Sequence, residues 1–197
     1  ESLQNDYVMY ARCARGFNLE GAEPKVRRIV EIVFDEGPTN AGDSPHRASI
    51  AAGTLTREKA LEYQKNTRGF ICCFDSREKM QRVLRRLKEE DLGISIVVSG
   101  LIDEVMAMAR EVGLKPHTIN LSLGIRGKKE LLPGPEVLEL TTMCGHGLVS
   151  RDLVRKAVAD VRAGRMAPEE AARMVGKPCI CGIVNLTRAA EMLQGTA

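Results

Sequence analysis

The sequence has no tryptophan and few aromatic residues, which make up 4% of its 197 residues. So few flat side chains argue against a surface that binds single-stranded nucleic acid by base stacking. Basic residues exceed acidic ones by only 29 to 26, and they are scattered in pairs such as Arg27-Arg28 and Lys128-Lys129. Because scattered pairs are typical of solvated helix faces rather than of a DNA-binding stripe, we expect no nucleic-acid partner.

Long apolar runs are also missing, and no signal-peptide pattern opens the chain. A membrane-spanning helix needs about 20 apolar residues in a row, so we expect no membrane partner. The six cysteines are poorly placed for disulfides, because Cys72 and Cys73 are adjacent and Cys179 and Cys181 are separated by one residue. We therefore expect a cytoplasmic protein with reduced thiols that are buried or bound to a metal.

The clearest fold signal lies in the middle of the chain, where short apolar runs alternate with amphipathic helices. The predicted strands are residues 69–74, 94–98 and 117–123. Two successive strand–helix–strand crossovers predict an α/β fold with a βαβαβ core and a three- to four-stranded, mostly parallel sheet. The alternative is a ferredoxin-like split βαβ arrangement, in which the beginning of the chain inserts an antiparallel strand.

From about residue 135 onward the pattern becomes helical. We therefore predict an α/β sheet domain at residues 1–134 and a helical, metal- or cluster-binding part at residues 135–197, unless the two form one continuous domain. Ser150 and Asn185 precede two of the predicted helices and are suited to cap them.

Two short stretches in this helical part are nearly the same, CGHGLVS from Cys144 and CICGIVN from Cys179. Each supplies two metal ligands separated by one residue, then a glycine, two aliphatic residues and a capping residue. Three thiols and one imidazole are sufficient ligands for zinc or for an iron–sulfur cluster. We therefore predict that Cys144, His146, Cys179 and Cys181 converge on one metal centre.

The preferred cofactor is an iron–sulfur cluster, because structural zinc sites usually space each pair of ligands by two or more residues. A cluster predicts a redox, sensing or enzyme-support role. The alternative is zinc in a binding or assembly module, where the ion staples two helix starts. Inert thiols, and a nucleophilic Cys144 or Cys179 with His146 as its base, are the remaining interpretations. A duplicated motif can also pair across a two-fold axis, so a protein partner or a homo-oligomer is a further expectation.

A second alternative for function is a metal-free α/β enzyme that binds a small anionic ligand at Ser99 and Gly100. These residues lie where a predicted strand passes into a helix, and helix starts at the carboxyl edge of a parallel sheet bind anions. The simpler interpretation, which we prefer, is a plain tight turn. Arg68 could contact an anion only if a cleft lay at the opposite edge.

The long polar loop at residues 39–53 contains His46 and Asp43 and could close over a site, although loops have this composition by default. Cys72 and Cys73 should lie on opposite faces of one strand, both as core residues. A thiolate at Cys13 is suggested only by the neighbouring arginines.

Overall fold

A computed structural model of the chain describes residues 2–66 and 69–195. The strands in these residues are β1 (Tyr7–Arg12), β2 (Asn40–Asp43), β3 (Ala48–Ser49), β4 (Gly69–Phe74) and β5 (Ser95–Ser99). The α-helices are α1 (Glu23–Asp35), α2 (Arg57–Glu62), α3 (Arg77–Glu90), α4 (Ile102–Glu111), α5 (Pro135–Thr142), α6 (Arg151–Arg162), α7 (Pro168–Gly176) and α8 (Leu186–Gly195). Short 3-10 helices cover Ser2–Asn5, Tyr63–Asn66 and Lys129–Leu131.

The sheet is antiparallel throughout, with the strand order β3-β2-β4-β1-β5. The mostly parallel sheet predicted from the sequence is therefore wrong. The reason is β1, which lies between β4 and β5 and pairs with both, so that Met9 faces Cys72 on one side and Val98 on the other. Because β4 and β5 both run antiparallel to β1, they are parallel to each other, as expected for two strands joined by the helix α3. They are not paired with each other, because β1 lies between them.

The first crossover is interrupted in the same way, because α1 connects β1 with β2 and β4 lies between them. The two strand–helix–strand units are thus interleaved. This is the feature of the ferredoxin-like split βαβ arrangement, which was the alternative prediction from the sequence. The strand predicted at residues 117–123 is absent. Ile119, Leu121 and Leu123 alternate there but are 52%, 72% and 84% exposed, and in the described residues β5 pairs with β1 alone.

The two faces of the sheet carry different cores. Phe70, Cys72 and Phe74 point to a core shared with α1, α3 and α4. Ile71 points the other way and packs against a second core built by α5 to α8. Cys73 shares this second direction, and its thiol donates to the Gly182 carbonyl at 3.6 Å. The prediction that Cys72 and Cys73 lie on opposite faces is confirmed, as strand geometry requires.

Buried polar side chains attach the C-terminal helices to the sheet. Asn40 in β2 donates its amide to the Val184 carbonyl at 3.0 Å, and Asn185 donates to the Phe74 carbonyl at 3.3 Å. Arg188, 7% exposed, pairs with Asp6 at 2.6 Å. The segment before α8 is therefore fixed to β2 and β4. Among the described helices, none combines the length and the apolar character that a membrane span requires.

Candidate metal centre

The two similar stretches fold into the same backbone turn. In the first, the Gly147 N–H donates to the Cys144 carbonyl at 2.9 Å; in the second, the Gly182 N–H donates to the Cys179 carbonyl at 3.3 Å. Both glycines have positive φ, 66° and 68°, a conformation that glycine adopts without the steric cost of a Cβ atom. The sequence similarity therefore corresponds to a repeated turn.

Each turn leads into a capped helix, as predicted. The Ser150 hydroxyl accepts from the Leu153 N–H at 3.2 Å at the start of α6, and the Asn185 side chain accepts from the Arg188 N–H at 3.1 Å at the start of α8. A capped helix start fixes the direction of the chain that enters it. The two cysteine turns are thus held by helices that pack in one core.

The four predicted ligands lie together. The Cys179 and Cys181 sulfurs are 3.6 Å apart, and the Cys181 sulfur is 3.4 Å from His146 Nδ1. Hydrogen bonding between the Cys144 thiol and the Cys179 sulfur contributes to the pKa values of both groups. The contacts form a chain rather than a closed shell, and the described residues hold no group of three or more His, Cys, Asp or Glu side chains in the arrangement of a metal site.

Two of these separations, Cys179–Cys181 and Cys181–His146, nevertheless match those that one tetrahedral ion would impose. Two thiolates at about 2.3 Å from one zinc ion stand about 3.8 Å apart, and a thiolate and an imidazole nitrogen about 3.6 Å apart. The three thiols are buried, at 3% exposure for Cys144, 0% for Cys179 and 2% for Cys181. His146 is exposed and forms the outer side of the group.

Backbone N–H groups act on the pKa values of two of the thiols. Hydrogen bonding to the backbone of Leu148 and His146 acts to lower the pKa of Cys144, and hydrogen bonding to the backbone of Val184 and Ile183 acts to lower that of Cys179. Such interactions favour the charged thiolate over the neutral thiol.

The thiols differ in their readiness to ionise. The pKa of Cys179 is lowered to about 5, chiefly because the Cys181 thiol donates a hydrogen bond to its sulfur, and burial opposes this only in part. The same hydrogen bond, together with burial, raises the pKa of Cys181. Burial raises the pKa of Cys144. The group therefore holds one thiolate and two thiols at neutral pH.

This distribution bears on the alternative in which a cysteine acts as nucleophile. His146 does contact a thiol of the other turn, but that thiol is Cys181, whose proton is tightly held. Cys179 carries the thiolate, yet its side chain is inaccessible to solvent. Cys144, the other candidate nucleophile, is 3% exposed, and burial raises its pKa. An attacking sulfur must be both ionised and accessible, and none of the three cysteines combines the two properties.

The second cysteine turn is pressed against β2 without intervening side chains. A Cβ atom at Gly182 would lie 2.1 Å from the Ala41 carbonyl carbon, and one at Gly42 would lie 2.3 Å from the Cys181 carbonyl carbon. Only glycine permits this approach. Gly42 and Gly182 thus set the distance between the sheet and the candidate centre, a role that the sequence alone did not indicate.

An open cleft of ≈ 780 Å³ adjoins the candidate centre, and His146 and Cys181 form part of its wall. The other lining residues come from β1, β2, β4, the loop after β2, the end of α2 and the segment after it. They include Tyr10, Arg12, Asp43, His46, Tyr63 and Lys65. In the sequence, Asp43 and His46 stand out only as parts of a polar loop, and nothing marks the other residues, because they lie on separate segments.

The remaining predicted positions lie elsewhere. Ser99 and Gly100 line a second cavity of ≈ 680 Å³ beside β5 and α4, where His117 also lies. The anion site proposed there presumed the edge of a parallel sheet, and the sheet is antiparallel; Asp103 and Glu104 in the first turn of α4 would also repel an anion. Cys13 is buried in the first core, and Arg68 is outside the described residues.

Comparison of the chain with family models, with curated proteins and with solved structures gives no match. The interpretation of the site therefore depends on its geometry alone.

Proposed function

We propose that the chain is a metal-binding protein that holds one tetrahedral zinc ion through Cys144, His146, Cys179 and Cys181. The observation that carries the proposal is the agreement of one sulfur–sulfur and one sulfur–nitrogen separation, 3.6 and 3.4 Å, with two edges of a zinc tetrahedron. The backbone N–H groups that act to lower the pKa values of Cys144 and Cys179 support it, because they stabilise a bound thiolate.

The same distances favour zinc over a four-iron cluster. In a four-iron cluster each ligand binds a different iron atom, so the ligand sulfurs stand farther apart than two ligands of one ion. The 3.6 Å between the Cys179 and Cys181 sulfurs is too short for that arrangement. A two-iron cluster, in which two ligands share one iron atom, is an alternative that metal analysis decides.

The proposed ion has a structural role. It joins the start of α6 to the start of α8, and through Gly182 it fixes both to β2. Binding free energy at such a site contributes to folding, because the unfolded chain has no formed site. The six cysteines are all unpaired, and we include a reducing compartment such as the cytoplasm in the proposal.

Metal analysis tests the proposal directly. Protein purified under reducing, anaerobic conditions without chelator is expected to be colourless and to contain about one zinc per chain and no sulfide. Replacement of zinc by cobalt should give the visible bands of a tetrahedral thiolate complex. Brown protein with iron and sulfide would mean a cluster on the same ligands. Protein that neither contains zinc nor takes it up would contradict the proposal.

Proton release on metal binding is a second prediction. At about pH 8 an ordinary imidazole has no proton to lose, so only thiols contribute. Cys179 is already ionised there, since its pKa is about 5, whereas the raised pKa values of Cys144 and Cys181 keep both protonated. Binding of zinc to chelator-treated protein should therefore release about two protons, not three.

Calorimetry in buffers of different ionisation enthalpy measures this number. Zinc affinity should rise by about two powers of ten per pH unit near this pH, because two protons are released for each ion bound. Release of no protons would show that the thiols are not the ligands.

A further inference from the structure

The cleft beside the candidate centre contains a histidine held in one orientation. Asp43, 8% exposed, places its Oδ1 atom 2.7 Å from His46 Nδ1 and also accepts the His46 backbone N–H at 3.0 Å. The imidazole stacks on the Tyr63 ring, with centroids 3.9 Å apart and planes at 9°. The carboxylate fixes the tautomer with the proton on Nδ1, so that Nε2 presents a lone pair.

Two cations share this cleft. The Arg12 guanidinium donates to the Tyr10 hydroxyl and lies over the Tyr10 ring, its Cζ atom 5.7 Å from the centroid. Lys65 lines the cleft on the side of Tyr63. Among the described residues, neither cation has an acidic side chain within ion-pair distance. The cleft contains two carboxylates, Asp43 and Glu62, and Asp43 is already paired with His46.

We propose that this cleft is an active site in which His46 acts as a base toward a small substrate that carries a phosphate or carboxylate group, bound by Arg12 and Lys65. The proton moves from the substrate to His46 Nε2, and the electron pair of the broken bond stays on the substrate as an anion. The imidazolium so formed is stabilised by Asp43, and the new anionic charge by the two cations. Asp43 and Tyr63 are positioning residues.

The inference goes beyond the proposed metal centre and depends on it only for the wall formed by His146 and Cys181. The substrate need not coordinate the ion, because the base and the cations lie on the sheet and loop side of the cleft. The two proposals can therefore fail separately.

Chemical modification tests the site with inorganic phosphate as the probe. Diethyl pyrocarbonate acylates unprotonated imidazole nitrogens, and mass spectrometry of peptides measures the rate at each of the three histidines. Phosphate at saturation should slow the modification of His46 about tenfold, since the bound anion covers Nε2. His117, beside β5, is an internal control whose rate should not change.

Three variants sharpen the result. Arg12→Gln should weaken phosphate protection of His46 about tenfold, as expected for the loss of a charge-assisted contact. Arg82→Gln removes an exposed arginine of α3 that pairs with Glu36 at the end of α1. This variant should leave the protection of His46 by phosphate unchanged. Asp43→Asn should slow the modification of His46 severalfold without phosphate, because the amide no longer fixes the tautomer.

Metal content is measured on the same samples. Equal modification of His46 with and without phosphate, in protein that binds zinc, would overturn the active-site inference alone. Protection of His46 in protein that binds no metal would support that inference and overturn only the metal centre. Protection that Arg12→Gln leaves intact would contradict the assigned anion site.

Discussion

Replacing Cys179 with serine is expected to abolish metal binding and to lower the melting temperature by about 5–10 °C. A site occupied at about a hundred times its Kd stabilises the fold by about 2.7 kcal/mol, and a chain of this size loses about 2–4 °C per kcal/mol. Cys179 is chosen because its sulfur lies in the middle of the ligand chain and accepts hydrogen bonds from Cys181 and Cys144. A serine hydroxyl does not ionise there and is a poor zinc ligand.

Cys13→Ser is the matched control, since Cys13 is also a buried thiol but lies in the core on the other face of the sheet. It should lose some stability from the polar replacement while retaining its metal. Calorimetric melting and metal analysis of both variants give the comparison. Unchanged zinc content in Cys179→Ser would show that the ligand assignment is wrong.

The two cysteine-containing turns were predictable because their information is local. Each cysteine turn is seven residues long and contains its own glycine and helix cap, so the backbone of both turns follows from the sequence. The contact between the two turns is not fixed by local sequence. The matching positions of three thiols and one imidazole in the two stretches were nevertheless a reason to expect it. The structure does bring Cys144, His146, Cys179 and Cys181 together.

The sheet failed to follow the prediction because strand pairing is not local. Residues 69–98 give a strand, a helix and a strand in the correct places, and from those elements alone parallel neighbours are the natural expectation. The insertion of β1, more than 50 residues earlier in the chain, leaves no mark on that pattern. At residues 117–123 a strand was predicted that the structure does not contain. Alternation of apolar and polar residues indicates an apolar face, but it does not show that a partner strand is available.

The cleft could not be predicted, because its residues become neighbours only through the antiparallel register. Arg12 at the end of β1 pairs with Gly69 at the start of β4, which places it near the segment that carries Tyr63 and Lys65. Asp43 ends β2, on the far side of β4. A parallel sheet would have separated these positions.

The contact between β2 and the turn at residues 179–182 predicts a second large loss of stability. Gly182→Ala is expected to destabilise the protein by about 4 kcal/mol, equivalent to about 8–16 °C, and to weaken zinc binding. Its Cβ atom would lie 2.1 Å from the Ala41 carbonyl carbon, which is backbone and cannot move aside without breaking the β2 pairing. The positive φ of Gly182 adds about 1 kcal/mol of strain.

Two further glycine variants separate the collision from the strain. Gly147→Ala has the same positive φ in the first turn, but no atom lies within 4 Å of its new Cβ, so about 1 kcal/mol is expected. Gly42→Ala has no positive φ, yet its Cβ meets the Cys181 carbonyl carbon at 2.3 Å, so its cost should approach that of Gly182→Ala. Equal losses in Gly182→Ala and Gly147→Ala, measured by denaturant unfolding, would mean that backbone strain alone matters and that the turn does not rest on β2.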